Sequence, residues 1–382
     1  MNIKKILTAL AVLAAVSCTD AEYGALNNQA YILQTNTDAN SSLKLTVGTD
    51  PVSTSINVRV SDPAAAESRY RLVYDSQAIE DYNAKNETAY SALPENAFSL
   101  ADAEVTIAEG TSVSTPAVLT VNPFSEELKN SGKKYALAFR LENVSGTADI
   151  LPSGSVMVYL LDMVVIQPVA VLNSGCYIPE VQLESPVELP EWTLELNVNK
   201  DQLRTEVGKG NNQAIFGAYA DGSEIYVRFG DAPIEGNRLQ IKTQGTQMNS
   251  IMLFNTDTWY HIAVVSTGTK LYLYVNGVLD NSMDLPNAAT VMSCWSTYTG
   301  NGYHLGNTMY SEMRLWNKAR TQKEILNNMY ACDPATPGLV FYFKFNEGEG
   351  SLFHDATGNG YDVSTDGGVE PVWIQDVRID GK

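Results

Sequence analysis

From residue 43 onward the chain is written in short runs in which apolar and polar residues alternate. This period of two constrains its fold more than any other feature. Leu43, Leu45 and Val47, then Ile56, Val58 and Val60, then Leu271, Leu273 and Val275 each put every second side chain on one face. That is the pattern of a strand with one buried side. Seven such runs are predicted at 43–47, 56–60, 70–74, 105–108, 117–121, 135–141 and 156–161, separated by turn residues. About seven strands in about 130 residues suit an immunoglobulin-like sandwich. Nine more follow at 192–198, 213–220, 225–229, 238–243, 259–266, 271–275, 303–305, 312–316 and 339–345. Asn276-Gly277, directly after an alternating run, is a hairpin signal because both residues tolerate positive φ. Only two helices are expected. One is an insert at 76–84; the other starts at Thr321, where Thr321 and Glu324 form a capping box ahead of Ile325, Leu326 and Met329.

A chain of 382 residues exceeds the usual size of one domain. Twenty Tyr, 27 Gly and 15 Pro fit strands and turns, which excludes a coiled coil or helical bundle. The charge balance, 25 basic against 44 acidic residues for a net −19, argues against a partner held by its nucleic-acid backbone. No stretch after the N-terminus reads as a membrane span. The most apolar one, 156–172, is interrupted by Asp162, Gln167 and Pro168 and reads as a strand plus linker.

At the N-terminus Lys4 and Lys5 precede the apolar stretch 6–16, which is long enough for a secretory leader and too short to cross a bilayer. Ala15-Val16-Ser17-Cys18 resembles the lipobox of bacterial lipoproteins, with Ala15 where Leu is usual. The resemblance implies a leader over 1–17, lipidation at Cys18 and a tether over 18–40. Asp20 and Glu22 look like the signals that send Bacteroidetes-type lipoproteins to the cell surface. The expected location is therefore the outer face of the outer membrane, held by lipid. Loss of two lysines takes the mature charge to −19 − 2 = −21. Cys176, Cys294 and Cys332 remain, so at most one internal bridge is available, and the spacing does not choose the pair.

Two further resemblances set the domain expectation. The stretch Asp81-Tyr82-Asn83-Ala84-Lys85-Asn86-Glu87-Thr88-Ala89-Tyr90, with Leu93-Pro94, Val105-Thr106-Ile107 and Gly110, is similar to an N-terminal module of unknown function on Bacteroidetes-type surface lipoproteins. An immunoglobulin-like domain is expected over 41–165. Trp259-Tyr-His261-Ile-Ala263 with the 271–277 hairpin resembles the concanavalin A-like, laminin G-like jelly roll. So do the blocks at 312–325 and 338–350 and the turn Asp355-Ala-Thr-Gly358-Asn359-Gly360, all in the family's order. An all-β jelly-roll sandwich with one short helix is expected over 173–382. The fold hosts lectins, adhesins and glycosidases alike, so it does not settle function.

Glucanases on this fold carry carboxylates at alternating strand positions to flank the scissile bond. No such run occurs; Glu188, Glu191 and Glu195 are spaced 3 and 4. The three histidines lie apart, with His261 reading as a packed strand residue, and zinc spacing is missing. The expectation is a binding protein, not an enzyme. Sugars are held by aromatic rings with polar side chains on their hydroxyls. The segment 293–303 offers Trp295, Tyr298, Asn301 and Tyr303, with Tyr219, Asp221 and Arg228 as candidate neighbours. Asp355 and Asn359 are candidate ligands for a structural calcium ion, which wants six to eight oxygens. The expected partner is a glycan, within or beside a protein uptake complex. The alternatives are an adhesion protein that binds no glycan and a glycosidase.

Overall fold

A computed structural model of the chain describes residues 27–37, 41–297, 299–300 and 302–380. The leader, Cys18, Tyr298 and Asn301 lie outside the described residues. The period-two pattern is realised as strands with one buried face: in Ser68–Tyr74, Tyr70 and Leu72 are buried while Arg69 and Arg71 face water. Within 27–163, one sheet runs Ser42–Val47, Val156–Met163, Lys134–Asn143, Ser68–Tyr74, Glu104–Ile107. Against it pack two three-stranded sheets. One holds Val52–Ile56, Ala117–Val121 and Phe98–Ala101, and the other centres on Gln29–Ile32. Tyr70, Leu119, Phe139 and Tyr159 meet in the apolar cluster between them.

The insert is the helix Ser76–Asn86, capped by the Asp75 carboxylate on Ala78 N, and its Ala78 and Ile79 pack on Ala136 and Val158. Two expectations change here. The run at 56–60 is two strands, Val52–Ile56 and Val58–Val60, broken at Asn57, whose side chain donates to Ser114 O at 3.1 Å. The tether expected through residue 40 contains the strand Gln29–Ile32, which buries Ala30 and Ile32 between Val58–Val60 and Asp149–Ile150.

The second sandwich faces an eight-stranded sheet against a six-stranded one. The larger runs Val278–Asp284, Lys270–Val275, Tyr260–Ser266, Trp192–Lys200, Thr308–Trp316, Ile166–Leu172, Val372–Arg378, with Leu339–Phe343 also pairing to Thr308–Trp316. The smaller runs Val181–Leu189, Thr290–Ser296, Gln213–Ala220, Ser223–Phe229, Arg238–Thr243, Thr246–Leu253. Their inner faces share one core that includes Trp192, Phe216, Trp295 and Phe341. Residues 166–172, expected as linker, are a strand of this sheet. Pro168 has no N–H to give the ladder, and it sits where the register slips between Gln167 and Val169. Gln167 is satisfied sideways, donating to Ser311 Oγ at 3.1 Å. The expected strand at 303–305 is a loop instead.

The expected capping box is present at the helix Gln322–Asn328, with Thr321 Oγ1 accepting from Glu324 N and Glu324 Oε2 accepting from Thr321 N. Asn276-Gly277 turns the Lys270–Val275/Val278–Asp284 hairpin with φ of 50° and 75°. Cys176, Cys294 and Cys332 are separate, buried thiols. No helix among the described residues is long and apolar enough to cross a membrane.

Candidate functional site

Alternation in the six-stranded sheet sends Ile225, Val227 and Phe229 into the core and turns Glu224, Tyr226 and Arg228 outward. The register then lines up an outer face: Tyr219 pairs with Glu224, Tyr226 with Lys242, and Arg228 with Gln240. The Tyr219 and Tyr226 rings lie 5.9 Å apart at 49°, and the Arg228 guanidinium sits 5.3 Å from the Tyr226 ring centre. A cation over a phenol ring both holds the ring and leaves its flank for stacking.

Arg228 is fixed by Asn212 Oδ1 at 3.0 Å, Gln240 Oε1 at 2.7 Å and the Asp231 carboxylate. Tyr226 OH donates to the same Asn212 oxygen at 2.6 Å. Burial raises the Tyr226 hydroxyl above its ordinary value, with Arg228 opposing, so it stays a neutral donor at physiological pH. Gln213 clamps the neighbouring loop: its amide donates to Tyr303 O and accepts from Leu305 N at 2.6 Å. Tyr303 is 68 % exposed at that end of the face. Beneath the loop, Lys200 Nζ donates to Thr308 Oγ1 at 2.9 Å and lies 3.2 Å from His304 Nε2. Burial pushes the Lys200 amine down to about 7 and the His304 ring down to about 3. The result is a face of half-buried tyrosines, one guanidinium and side-chain amides, which suits hydroxyl-rich ligands.

Of the candidates read from the sequence, Tyr219 and Arg228 come together, and Tyr303 stands at the margin. Asp221 lies at the exposed tip of the Gln213–Ala220/Ser223–Phe229 hairpin. Trp295 does not belong to the site. It lies on the strand Thr290–Ser296, opposite the buried Ala218, with its ring 5.0 Å from Phe341 and no exposed surface. A ring already enclosed in the core has no face left for a ligand. Tyr226, Asn212, Asp231 and Gln240 were missed. The signal for Tyr226 was available in the polar parity of Glu224, Tyr226 and Arg228, whereas Asn212 depends on a loop return.

Asp355 and Asn359, the candidate calcium ligands, are engaged in hydrogen bonds within the fold. Asp355 accepts from Tyr342 N at 3.0 Å, Thr357 N at 3.1 Å, Thr357 Oγ1 at 2.7 Å and Tyr361 N at 3.4 Å. Asn359 turns its Nδ2 to the carbonyls of Leu339 and Val340. The pair builds a turn in which the Asp355 oxygens accept from N–H and O–H donors. Among the described residues, no three His, Cys, Asp or Glu side chains converge as a metal would need.

The buried carboxylates are on the other sheet. Glu195 meets Arg314 at 3.4 Å, His261 at 3.3 Å and Arg320, all fully or almost fully buried. Burial alone would raise the Glu195 carboxyl, but Arg314, His261 and Arg320 together hold it well below the usual carboxylate range. Burial keeps His261 below its ordinary value and therefore neutral.

Residues 183–326 match the family model described as the concanavalin A-like lectin/glucanases superfamily, and residues 26–148 match one described as an N-terminal domain. No curated protein matches the chain. Among solved structures, a provisionally named carbohydrate binding protein from Bacteroides ovatus ATCC 8483 aligns over 92 % of this chain and 99 % of its own, at 21 % identity and a TM-score of 0.62. That likeness establishes a shared two-part architecture. Bacteroides thetaiotamicron EndoBT-3987 with a Man5GlcNAc product aligns over 35 % of this chain and 30 % of its own, at 17 % identity and a TM-score of 0.30. A heptameric pentraxin from Limulus polyphemus aligns over 42 % and 80 %, at 12 % identity and 0.31. Both are too distant in shape to carry an argument.

Proposed function

We propose that this chain is a lipid-anchored cell-surface protein that captures a glycan on the outer face of its six-stranded sheet and performs no chemistry on it. The observation that carries the reading is the row Tyr219–Tyr226–Arg228, in which two rings and a guanidinium are fixed in place before any ligand arrives. Such a face loses little side-chain freedom on binding. The match of 183–326 to a lectin-containing superfamily supports the ligand class, and the lipobox-like Cys18 supports the address. The N-terminal sandwich then acts as a spacer between lipid and binding face.

Affinity electrophoresis of the mature chain against plant, mucin and microbial polysaccharides tests this, run with calcium and with chelator. One polysaccharide class is expected to retard the protein equally in both. Tyr226→Ala should weaken that retardation about tenfold, the scale of one central aromatic anchor. A second reading, an adhesion protein, is favoured by the exposed Ile251, Met252, Leu253, Val278 and Leu279 on adjoining edge strands. It gains if no polysaccharide retards the chain and a Val278→Lys variant loses its cell-surface crosslinks.

A further inference from the structure

The two sandwiches touch at a few points. Lys134 Nζ donates to Leu326 O at 3.2 Å, Lys323 pairs with Glu87 at 3.0 Å, and Gly132 lies directly on the Cys332 backbone. Beside these contacts opens a cavity of about 530 Å³, walled by Gly48, Thr49 and Lys129 from the first sandwich and by Glu312, Tyr342 and Lys344 from the second. A neighbouring cavity of about 380 Å³ shares the Phe124 and Tyr330 walls. Both volumes are in the range of small-molecule sites, and junctions between structural units are common places for them.

The wall of the larger cavity is unusual at Glu312. This residue is 3 % exposed and sits in the middle of the strand Thr308–Trp316, yet its φ is +55°. Left-handed backbone at a residue with a side chain is strained, and such strain gathers at binding and switch positions. The cause is visible in the ladder: Glu195 pairs with Arg314 while Asn197 pairs with Ser311, so the strand bulges between them. The bulge places the Glu312 carboxyl where Tyr342 OH donates to it, with Arg314 3.9 Å behind. Glu126 and Lys129 on one wall balance Glu312 and Lys344 on the other, and the Phe124 and Tyr330 rings complete the lining. Above about pH 7, where Glu312 is ionised, a lining of matched charge, hydrogen-bonding groups and rings selects neither an anion nor a cation.

We propose that this cleft is a second binding site, for a neutral polyhydroxylated ligand of about disaccharide size, lined by the half-buried Lys344 and Asn346 and by the edge of the Glu312 carboxyl, which the enclosed Tyr342 hydroxyl holds in place. It shares only the ligand's chemistry with the glycan reading above and lies on a different part of the molecule. Both units must be present to form it.

Isothermal titration of the mature chain with maltose, cellobiose and mannobiose tests the site, with 1,4-diaminobutane and citrate as charged controls. At least one disaccharide is expected to bind, and binding should survive Tyr226→Ala on the sheet face. Glu312→Gln, which keeps the shape, should weaken it about tenfold. Gly48→Phe, whose Cβ would meet nothing within 4 Å, should place a ring at the cavity wall and abolish binding while the chain stays folded. Thermal melts of each variant verify the fold. The proposal is overturned if none of the three disaccharides binds, if only the diamine or citrate binds, or if binding is lost with Tyr226→Ala and kept with Gly48→Phe. Polysaccharide retardation that is unaffected by Gly48→Phe reports on the sheet face alone, so the two readings fail separately.

Discussion

Glu195 and Glu312 lie on the same sheet and are both buried, yet they titrate in opposite senses. Glu195 is surrounded by two guanidiniums, Arg314 and Arg320, so ionisation is favoured despite burial. Removing its charge leaves two buried cations with one anionic neighbour fewer. Glu195→Gln should lower unfolding stability by about 3–5 kcal/mol, read from urea denaturation. A loss below about 1 kcal/mol would mean that the guanidiniums find water or other acceptors. Burial pushes Glu312 up to about 7 against the pull of Arg314. The folded chain therefore binds this proton more tightly than the unfolded chain, whose value is about 4.3. Its contribution to stability is complete below the unfolded value and is lost as pH rises to about 7. Glu312→Gln removes that loss. Its stability relative to the parent chain should climb between about pH 4.5 and 7 and level off above, with equal slopes counting against the assignment.

At the scale of elements, the hairpin Lys270–Val275/Val278–Asp284 and the helix Gln322–Asn328 fit one another. A Cβ on Gly277 would approach Leu326 Cδ2 to 2.3 Å, and the residue's φ is +75°. Gly277→Ala should cost about 1–3 kcal/mol, through strain and displacement of the helix, visible as a lower midpoint in urea. Both elements were legible in the sequence, because Asn-Gly and the capping box are local chemistry. Tyr219 and Arg228 entered only as neighbours of the 293–303 segment, although alternation along Ser223–Phe229 is the local signal that turns Tyr226 and Arg228 out of the core. Trp295 was misread because Ser293, Ser296 and Thr297 dress the strand Thr290–Ser296 in loop-like composition, while the partner ring that decides its side, Phe341, is 46 residues away. Residues 166–172 were hidden by Gln167 and Pro168, which read as linker until a bulge and Ser311 accommodate them. Glu312 carried no signal at all. A strand bulge made by a partner more than 100 residues earlier is not written in its own neighbourhood.

At the scale of the molecule, Gly132 decides how closely the sandwiches approach. Its φ is +68°, and a Cβ there would come within 2.2 Å of the Cys332 and Asp333 backbone. Gly132→Val should therefore part the two units while leaving each core intact. The expected signs are a larger radius of gyration in small-angle scattering and a single melting transition split into two. An unchanged radius would show that the ion pair and Lys134 contact suffice to hold the junction.

The strand Ile166–Leu172 has a consequence in time. It is the first strand of the second sandwich, and Ala170 pairs with Trp373, about two hundred residues later. A ribosome must therefore release nearly the whole chain before that sheet can close, and the closure must bring together ends separated by a long flexible loop. Such far-apart pairing is slow to form. Under the export we propose, the edge strand Val372–Arg378 would be the last piece of the second sandwich to arrive, so completion of the larger sheet would come after the rest of the chain has been delivered.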